Sequence, residues 1–204
     1  ADALAGVRES PRTMIRGEAQ ARIPRSTYRL QLNRDFSLGE ALRVLPYLDR
    51  LGVGDLYCSP VLRARAGSSH GYDIVDHAAI NPELGGDEAF EALSDALRER
   101  GMGLLFDMVP NHMGVLVSEN AWWMDVLEHG EASAYARFFD IEWRPVNSDL
   151  DGKVLVPLLG DHYGVVLERG DLVLRFEAGS GGFVFGYHEH RLPIDPRESA
   201  TLLR

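Results

Sequence analysis

The chain is short of cysteine, lysine, net positive charge and long apolar runs, and each shortage narrows what it can be. Cys58 is the only cysteine in 204 residues. That excludes an internal disulfide and fits a reducing, cytoplasmic setting. It sits in the apolar segment 56–59, where a small core residue is a better reading than a nucleophile. Lys153 is the only lysine, so nearly all positive charge is arginine, which reads as composition bias rather than mechanism. The 21 Lys and Arg stand against 31 Asp and Glu, for a formal net charge of -10. Phosphate binding wants clustered cations, so the balance argues against nucleic acid as a partner and weakly against an anionic membrane surface. No apolar run approaches the roughly 20 residues of a membrane span. Residues 1–22 lack the apolar centre of a secretory signal and read as a polar, flexible leader.

What is present is ordinary globular material: 45% hydrophobic and 25% charged residues, enough for one sizeable core. Residues 26–32 alternate apolar and polar as a strand does. After a turn at 33–36, Ser37 and Glu40 form an S-x-x-E capping box opening a helix with Leu38, Leu42, Leu45 and Leu48 near one face. Pro46 predicts a kink or an early break, and Gly52 a stop. A second strand spans 55–59 and ends at Pro60. The stretch 61–71 reads as a mobile loop, and 81–86 as a turn. Asp87 is the expected cap of a second helix carrying Phe90, Leu93 and Leu97, ended by Gly101. A third strand begins at Gly103, and its apolar run leads into Asp107-Met108-Val109-Pro110-Asn111-His112.

Strand and helix alternating in this way give βα units and a parallel sheet. An α/β barrel carries its chemistry at the C-terminal strand ends, where Asp107, Asn111 and His112 fall. A doubly wound sheet would use the same edge, but no Gly-rich phosphate loop follows the first strand. Beyond His112 the pattern changes. Helices are expected at 120–129 and 133–139, then short strands at 154–158, 164–168, 171–176 and 183–187. Arg169-Gly170-Asp171 is read as a hairpin turn, 180–182 as a loop, and the whole as an antiparallel meander. The domain reading is a leader at 1–22, the first βα units at 23–112, and an inserted α+β subdomain at 113–204.

Tyr72, Asp107, Asn111 and His112 form the best chemical constellation. An aromatic face can stack on a sugar, His and Asn can bond hydroxyls, and a rim carboxylate can orient an arginine or a substrate hydroxyl. Against this stand plainer roles: Asp107 as a loop cap, His112 as a satisfied loop histidine, Tyr72 as packing. His70, Asp73, Asp76 and His77 join Asp107 and His112 as metal-ligand types, but their spacing matches no compact zinc pattern, so neither metal nor cofactor is expected. Trp122 and Trp123 point in different directions on a helix, one packing and one partly exposed. His188, Glu189 and His190 read as alternating along a solvated strand.

At 107–112, DMVPNH resembles the first conserved region of glycoside hydrolase family 13, the α-amylase family. STYRLQL at 26–32, YCSP at 57–60, SHGYDIVDH at 69–77, NPELGG at 81–86, WWMDVLE at 122–128 and HRLPIDP at 190–196 resemble the trehalose-forming branch of that family. The resemblance implies a (β/α)8 TIM barrel with an insertion after its third strand. It implies conversion of the reducing-end α-1,4 linkage of a maltooligosaccharide into an α,α-1,1 linkage, by intramolecular transglycosylation through a covalent intermediate. Tyr72 would stack on the sugar at the non-reducing side of the cleaved bond, and His112 would hydrogen-bond it. Asp107 and Asn111 would organise the rim, and Asp73 would belong to the same substrate-binding group. His70 departs from the Asp-Asn-Gly-Tyr-Asp pattern of some relatives, which leaves its role open. In calcium-dependent amylases the Asn of this motif helps hold the ion, which is not carried over here. The functional partner implied is a maltooligosyltrehalose trehalohydrolase. Alternatives within the resemblance are another hydrolase or glucanotransferase, or a non-catalytic carbohydrate-binding relative. No stretch matches the family's nucleophilic Asp, acid/base Glu or third Asp, so catalytic residues are expected beyond Arg204. A full barrel takes about 250 residues, and the 204-residue chain alone is expected to be inactive.

Overall fold

A computed structural model describes residues 23–115 and 118–203; the leader reading at 1–22 lies outside them. Its organising element is a parallel sheet of three strands, β1 (Thr27–Leu30), β2 (Asp55–Cys58) and, later in the chain, Gly103–Phe106. They lie side by side in chain order, with Arg29 opposite Tyr57 and Tyr57 opposite Leu105. Strand side chains alternate between faces. Leu30, Leu32, Leu56 and Cys58 therefore share one face and are buried there. Two 14-residue helices cover that face, α1 (Leu38–Leu51) and α2 (Gly86–Glu99), through Leu38, Ala41, Leu45, Leu48, Leu93 and Leu97. Leu42 of the expected stripe packs only at the margin. The opposite face carries Arg29, Gln31, Tyr57, Ser59 and Asp107, where a doubly wound sheet would show a second apolar layer.

Several expectations need correction. Ser37 occupies the N-cap of α1, but its hydroxyl makes no cap bond, and Glu40 pairs with Arg43 instead of completing a capping box. The helix continues through Pro46 to Leu51 and stops where Gly52 turns left-handed, at φ 84°. Asp87 is not a cap: α2 begins at Gly86 after Gly85, so Asp87 and Glu88 lie in its first turn, where the helix dipole favours anions. The loop expected at 61–71 contains β3 (Leu62–Ala64), which pairs antiparallel with β4 (Ile74–Ile80). Only the tip of that hairpin is the Gly- and Ser-rich turn that the composition suggested. With β3 and β4 counted, Gly103–Phe106 is β5.

The chain leaves the parallel sheet after β5. A helix α3 (Ala121–His129) follows, as expected, but 133–139 holds only a 3-10 turn, Ala136–Phe138. Residues 154–158 are not a strand; Pro157 cannot donate to a ladder, and Val154, Val156 and Leu158 instead line an apolar hollow. The strand expected at 164–168 is a helix, α4 (Tyr163–Glu168), with Val166 its one buried side chain. Arg169 braces the end of α4, its Nε 2.9 Å from Asp171 and its Nη1 3.2 Å from Asp161. The 169–171 turn therefore joins a helix to a strand rather than closing a hairpin. The meander itself is present as β6 (Leu172–Glu177), β7 (Gly182–Tyr187) and β8 (His190–Pro193) in that order. His188 and Glu189 do not continue a strand; they make the β7–β8 turn, with His188 at φ 50°. A short helix, α5 (Ser199–Leu202), ends the described chain. Among the described residues no helix is long and apolar enough to cross a membrane.

Candidate functional site

The polar face of the sheet converges on Asp107, immediately after β5. Its backbone N–H donates to the Cys58 carbonyl at 2.9 Å, prolonging the parallel register by one residue and fixing the carboxylate at the strand end. The Tyr72 hydroxyl donates to Asp107 Oδ2. Arg29 Nη2 donates to the same hydroxyl at 3.1 Å and lies 3.6 Å from Asp107 Oδ2. The Arg29 guanidinium lies over the Tyr57 ring, 5.4 Å from its centroid. Arg29 Nη1 donates to Gln31 at 2.9 Å, and Gln31 Nε2 donates to the His70 carbonyl at 3.2 Å. Three strands and the β3–β4 tip thus each supply a member of one network. The hydrogen bond from Tyr72 holds the Asp107 carboxyl below its ordinary value, assisted by Tyr57 and Arg29 against partial burial. The same bond raises the Tyr72 hydroxyl.

The tip that delivers Tyr72 is braced by its own side chains. The Ser68 hydroxyl donates to Asp73 Oδ1 at 2.5 Å and accepts the Gly71 N–H at 3.1 Å. Arg65 Nε lies 3.8 Å from Asp73 Oδ2. His70 Nδ1 accepts the Tyr72 N–H at 3.0 Å, and the His70 and Tyr72 rings stack with centroids 6.0 Å apart. Gly71 has φ 79°, and a Cβ there would meet the Pro60 carbonyl oxygen at 2.9 Å, so the tip lies against Pro60 only because residue 71 is glycine.

Asn111 and His112 form a second cluster. His112 Nδ1 lies 3.1 Å from Asn111 Oδ1, and both side chains are exposed. No hydrogen bond or ion pair joins this pair to Tyr72 or Asp107. Of the expected constellation, then, Tyr72 and Asp107 are in direct contact, His70 and Asp73 hold the segment carrying Tyr72, and Asn111 with His112 lines a neighbouring groove. The segment carrying that pair is tied at two points. His77 Nε2 lies 3.1 Å from the Val109 carbonyl, and the buried Asn120 Nδ2 donates to the Gly114 carbonyl at 2.9 Å. Asn120 Oδ1 also accepts the Trp123 N–H at 3.0 Å, capping α3.

Sequence reading missed Arg29, Gln31 and Tyr57. Strand alternation would have found them, because each lies opposite in phase to buried Leu30, Leu32, Leu56 and Cys58. Asn120 had no such signal. Among the described residues no three His, Cys, Asp or Glu side chains converge as a cation site. The arrangement has the means to hold a neutral polyhydroxyl ligand: a carboxylate–arginine pair, an aromatic ring anchored through its hydroxyl, and an exposed amide and imidazole nearby.

Similarity to known proteins agrees with that chemistry. The alpha-amylase catalytic-domain profile matches residues 41–163. The chain is 47% identical over 170 residues to a putative maltooligosyl trehalose synthase of Mycobacterium tuberculosis, covering 76% of this chain and 22% of that protein. It is 39% identical over 105 residues to an intracellular maltogenic amylase of Bacillus subtilis, covering 52% of this chain and 17% of that protein. Among solved structures, maltooligosyltrehalose synthase from Arthrobacter ramosus superposes with a TM-score of 0.73 at 44% identity, over 85% of this chain and 21% of that one. Another maltooligosyl trehalose synthase gives 0.77 at 38% identity, over 84% of this chain and 22% of that one. These likenesses make the three-stranded parallel sheet and its helices part of a TIM barrel. The chain spans about a fifth of the length of these synthases. With the profile covering more than half of its residues, the chain belongs to the α-amylase catalytic-domain family.

Proposed function

We propose that this chain forms part of a maltooligosyltrehalose synthase, which rearranges the reducing-end α-1,4 linkage of a maltooligosaccharide into an α,α-1,1 linkage. The observation that carries the reading is the Arg29–Tyr57–Tyr72–Asp107 network at the C-terminal strand ends, in a chain 47% identical to a protein of that name. In the proposed reaction the C1–O4 bond to the terminal glucose breaks and the glycosyl group passes to an enzyme carboxylate. The freed glucose then presents its own O1 hydroxyl to C1, and its proton returns to the acid/base that protonated O4. Net water is neither consumed nor released. Asp107, held ionised by Tyr72 and Arg29, is poorly suited to donate a proton or to leave its partners and attack. Its proposed role is to fix the Tyr72 ring, which stacks on the glucosyl unit before the broken bond, while His112 and Asn111 bond its hydroxyls. His70 and Asp73 position that ring through the tip of β3–β4. The nucleophile and the acid/base are proposed to lie outside these 204 residues.

The proposal extends to a reducing, cytoplasmic setting and to a trehalohydrolase that consumes the product. The test is incubation of the full-length gene product with maltopentaose, following reducing ends and free glucose together. Loss of reducing ends with little glucose supports the synthase. A steady rise in reducing sugar overturns it in favour of a hydrolase. No change in either overturns it in favour of a binding relative.

A further inference from the structure

Arg29 is exposed, yet three neighbours engage its guanidinium. Nη2 donates to the Tyr72 hydroxyl at 3.1 Å, Nη1 donates to Gln31 Oε1 at 2.9 Å, and its face lies over the Tyr57 ring. Asp107 Oδ2 is further off, 3.6 Å from Nη2. Holding so long a side chain in one conformation costs about 2 kcal/mol of entropy. An exposed ion pair contributes only about 0–1 kcal/mol, so pairing with Asp107 alone does not account for the arrangement. The two arms of the guanidinium reach one segment from two directions. Gln31 Nε2 donates to the His70 carbonyl at 3.2 Å, so the Nη1 arm ends on the main chain of the β3–β4 tip. The Nη2 arm ends on the ring of Tyr72, two residues further along that tip. The Tyr72 hydroxyl accepts from Arg29 while donating to Asp107, so its lone pair and its proton are both assigned. Tyr57, directly opposite Arg29 in the parallel register, backs the guanidinium plane.

We infer that Arg29 is a positioning residue: its planar fork sets the height and tilt of the Tyr72 ring, gripping the ring through its hydroxyl and the tip backbone through Gln31. Arg29 acts on the reaction through Tyr72, and the inference rests on the reading of Tyr72 as the ring that stacks on the glucosyl unit. A misplacement of about 1 Å at a substrate-positioning group can cost about 10²-fold in rate. Lysine keeps the charge but carries it on one nitrogen, with no fork to reach Tyr72 and Gln31 in different directions. A role for charge and a role for geometry therefore predict opposite outcomes for Arg29→Lys.

The test compares the full-length gene product with its Arg29→Lys and Gln31→Leu variants, by maltopentaose turnover and by hydrogen–deuterium exchange. For Arg29→Lys, kcat/KM should fall about 10- to 100-fold, with the larger part in kcat. Exchange over residues 65–73 should rise at least about fivefold while α1 and α2 keep the wild-type rate. Gln31→Leu severs only the backbone arm and should show both changes at smaller size. Gln31 is exposed, so this variant decides the matter should Arg29→Lys not fold. Arg29→Lys with kcat/KM within about twofold of wild type shows that charge suffices and overturns the inference. A loss in KM alone, a loss of activity with tip exchange unchanged, or Gln31→Leu without either change overturns it too. Wild type that hydrolyses instead of capping reducing ends refutes the synthase reading, while the variant-to-wild-type ratios, read on hydrolysis, still decide the role of Arg29. Wild type without turnover overturns both.

Discussion

Asn120 is the point at which the integrity of the groove can be measured directly. Its side chain is fully buried: Oδ1 accepts the Trp123 N–H, and Nδ2 donates to the Gly114 carbonyl and, at 3.9 Å, to the Met113 sulfur. Asn120→Ala removes the cap, at about 1 kcal/mol. It also leaves the Gly114 carbonyl without this donor, at about 1–2 kcal/mol. The sum, about 2–3 kcal/mol, should appear as a 30- to 150-fold rise, roughly, in exchange of the first amides of α3, since 1.4 kcal/mol is about tenfold. Asn120→Ser retains a capping oxygen but cannot reach Gly114, so only the second cost applies, roughly a 5- to 30-fold rise. Hydrogen–deuterium exchange read on peptides covering 113–129 of the full-length protein measures this locally, without a global unfolding transition. Exchange within about twofold of wild type in Asn120→Ala would refute the reasoning, as would greater loosening by serine than by alanine.

Further outcomes follow from the same geometry. Tyr72→Phe removes the bond that holds Asp107 low. The stabilisation from ionised Asp107 is complete above the ordinary carboxylate value and lost as pH falls through the lowered folded value. The variant should therefore lose activity at a higher pH on the acid limb, read from kcat/KM against pH. Gly103→Ala should destabilise the protein by about 1–3 kcal/mol, seen as a lower urea midpoint, because the new Cβ would lie 2.9 Å from Asp55 Cγ and closer still to Oδ1. Cys58 is fully buried, and burial pushes its thiol up to about 12. It should resist a disulfide reagent at pH 8 in the native protein and react at once in denaturant; fast native labelling would contradict this.

The parts of the fold that sequence reveals are those set by local period. Leu38, Leu45 and Leu48 recur at helical spacing, and with Ala41 they are the residues α1 buries. The apolar run from Gly103 ends in an acid, and that acid emerges at a strand end. Where two signals coincide, period misleads. Val165 and Val166 favour a strand by type, yet tertiary packing makes 163–168 a helix with Val166 alone inward. Residues 154–158 are a short apolar run of strand-like type, but Pro157 denies them a ladder. The β3–β4 hairpin is hidden because its register shifts twice within three residues. At the site, Asp107 and Tyr72 could be nominated singly. Their union with Arg29 spans sequence separations of 35 and 43 residues, which no window of residues contains. The grouping of Asn111 and His112 with a groove, apart from the Tyr72 network, is likewise a fact of chain path.

The bond from Asp107 N–H to the Cys58 carbonyl has one more consequence. Parallel strands slide in steps of single residues, and each step turns a side chain through the sheet. A slip of β1 by one residue against β2 would carry Arg29 beneath the helices and bring Leu30 to the ligand side. Arg29, Tyr57 and Asp107 would then never meet. The network can therefore close only after distant pairings are correct, and such pairings are slow to form. Assembly of the Arg29–Tyr57–Asp107 network is thus gated by strand alignment.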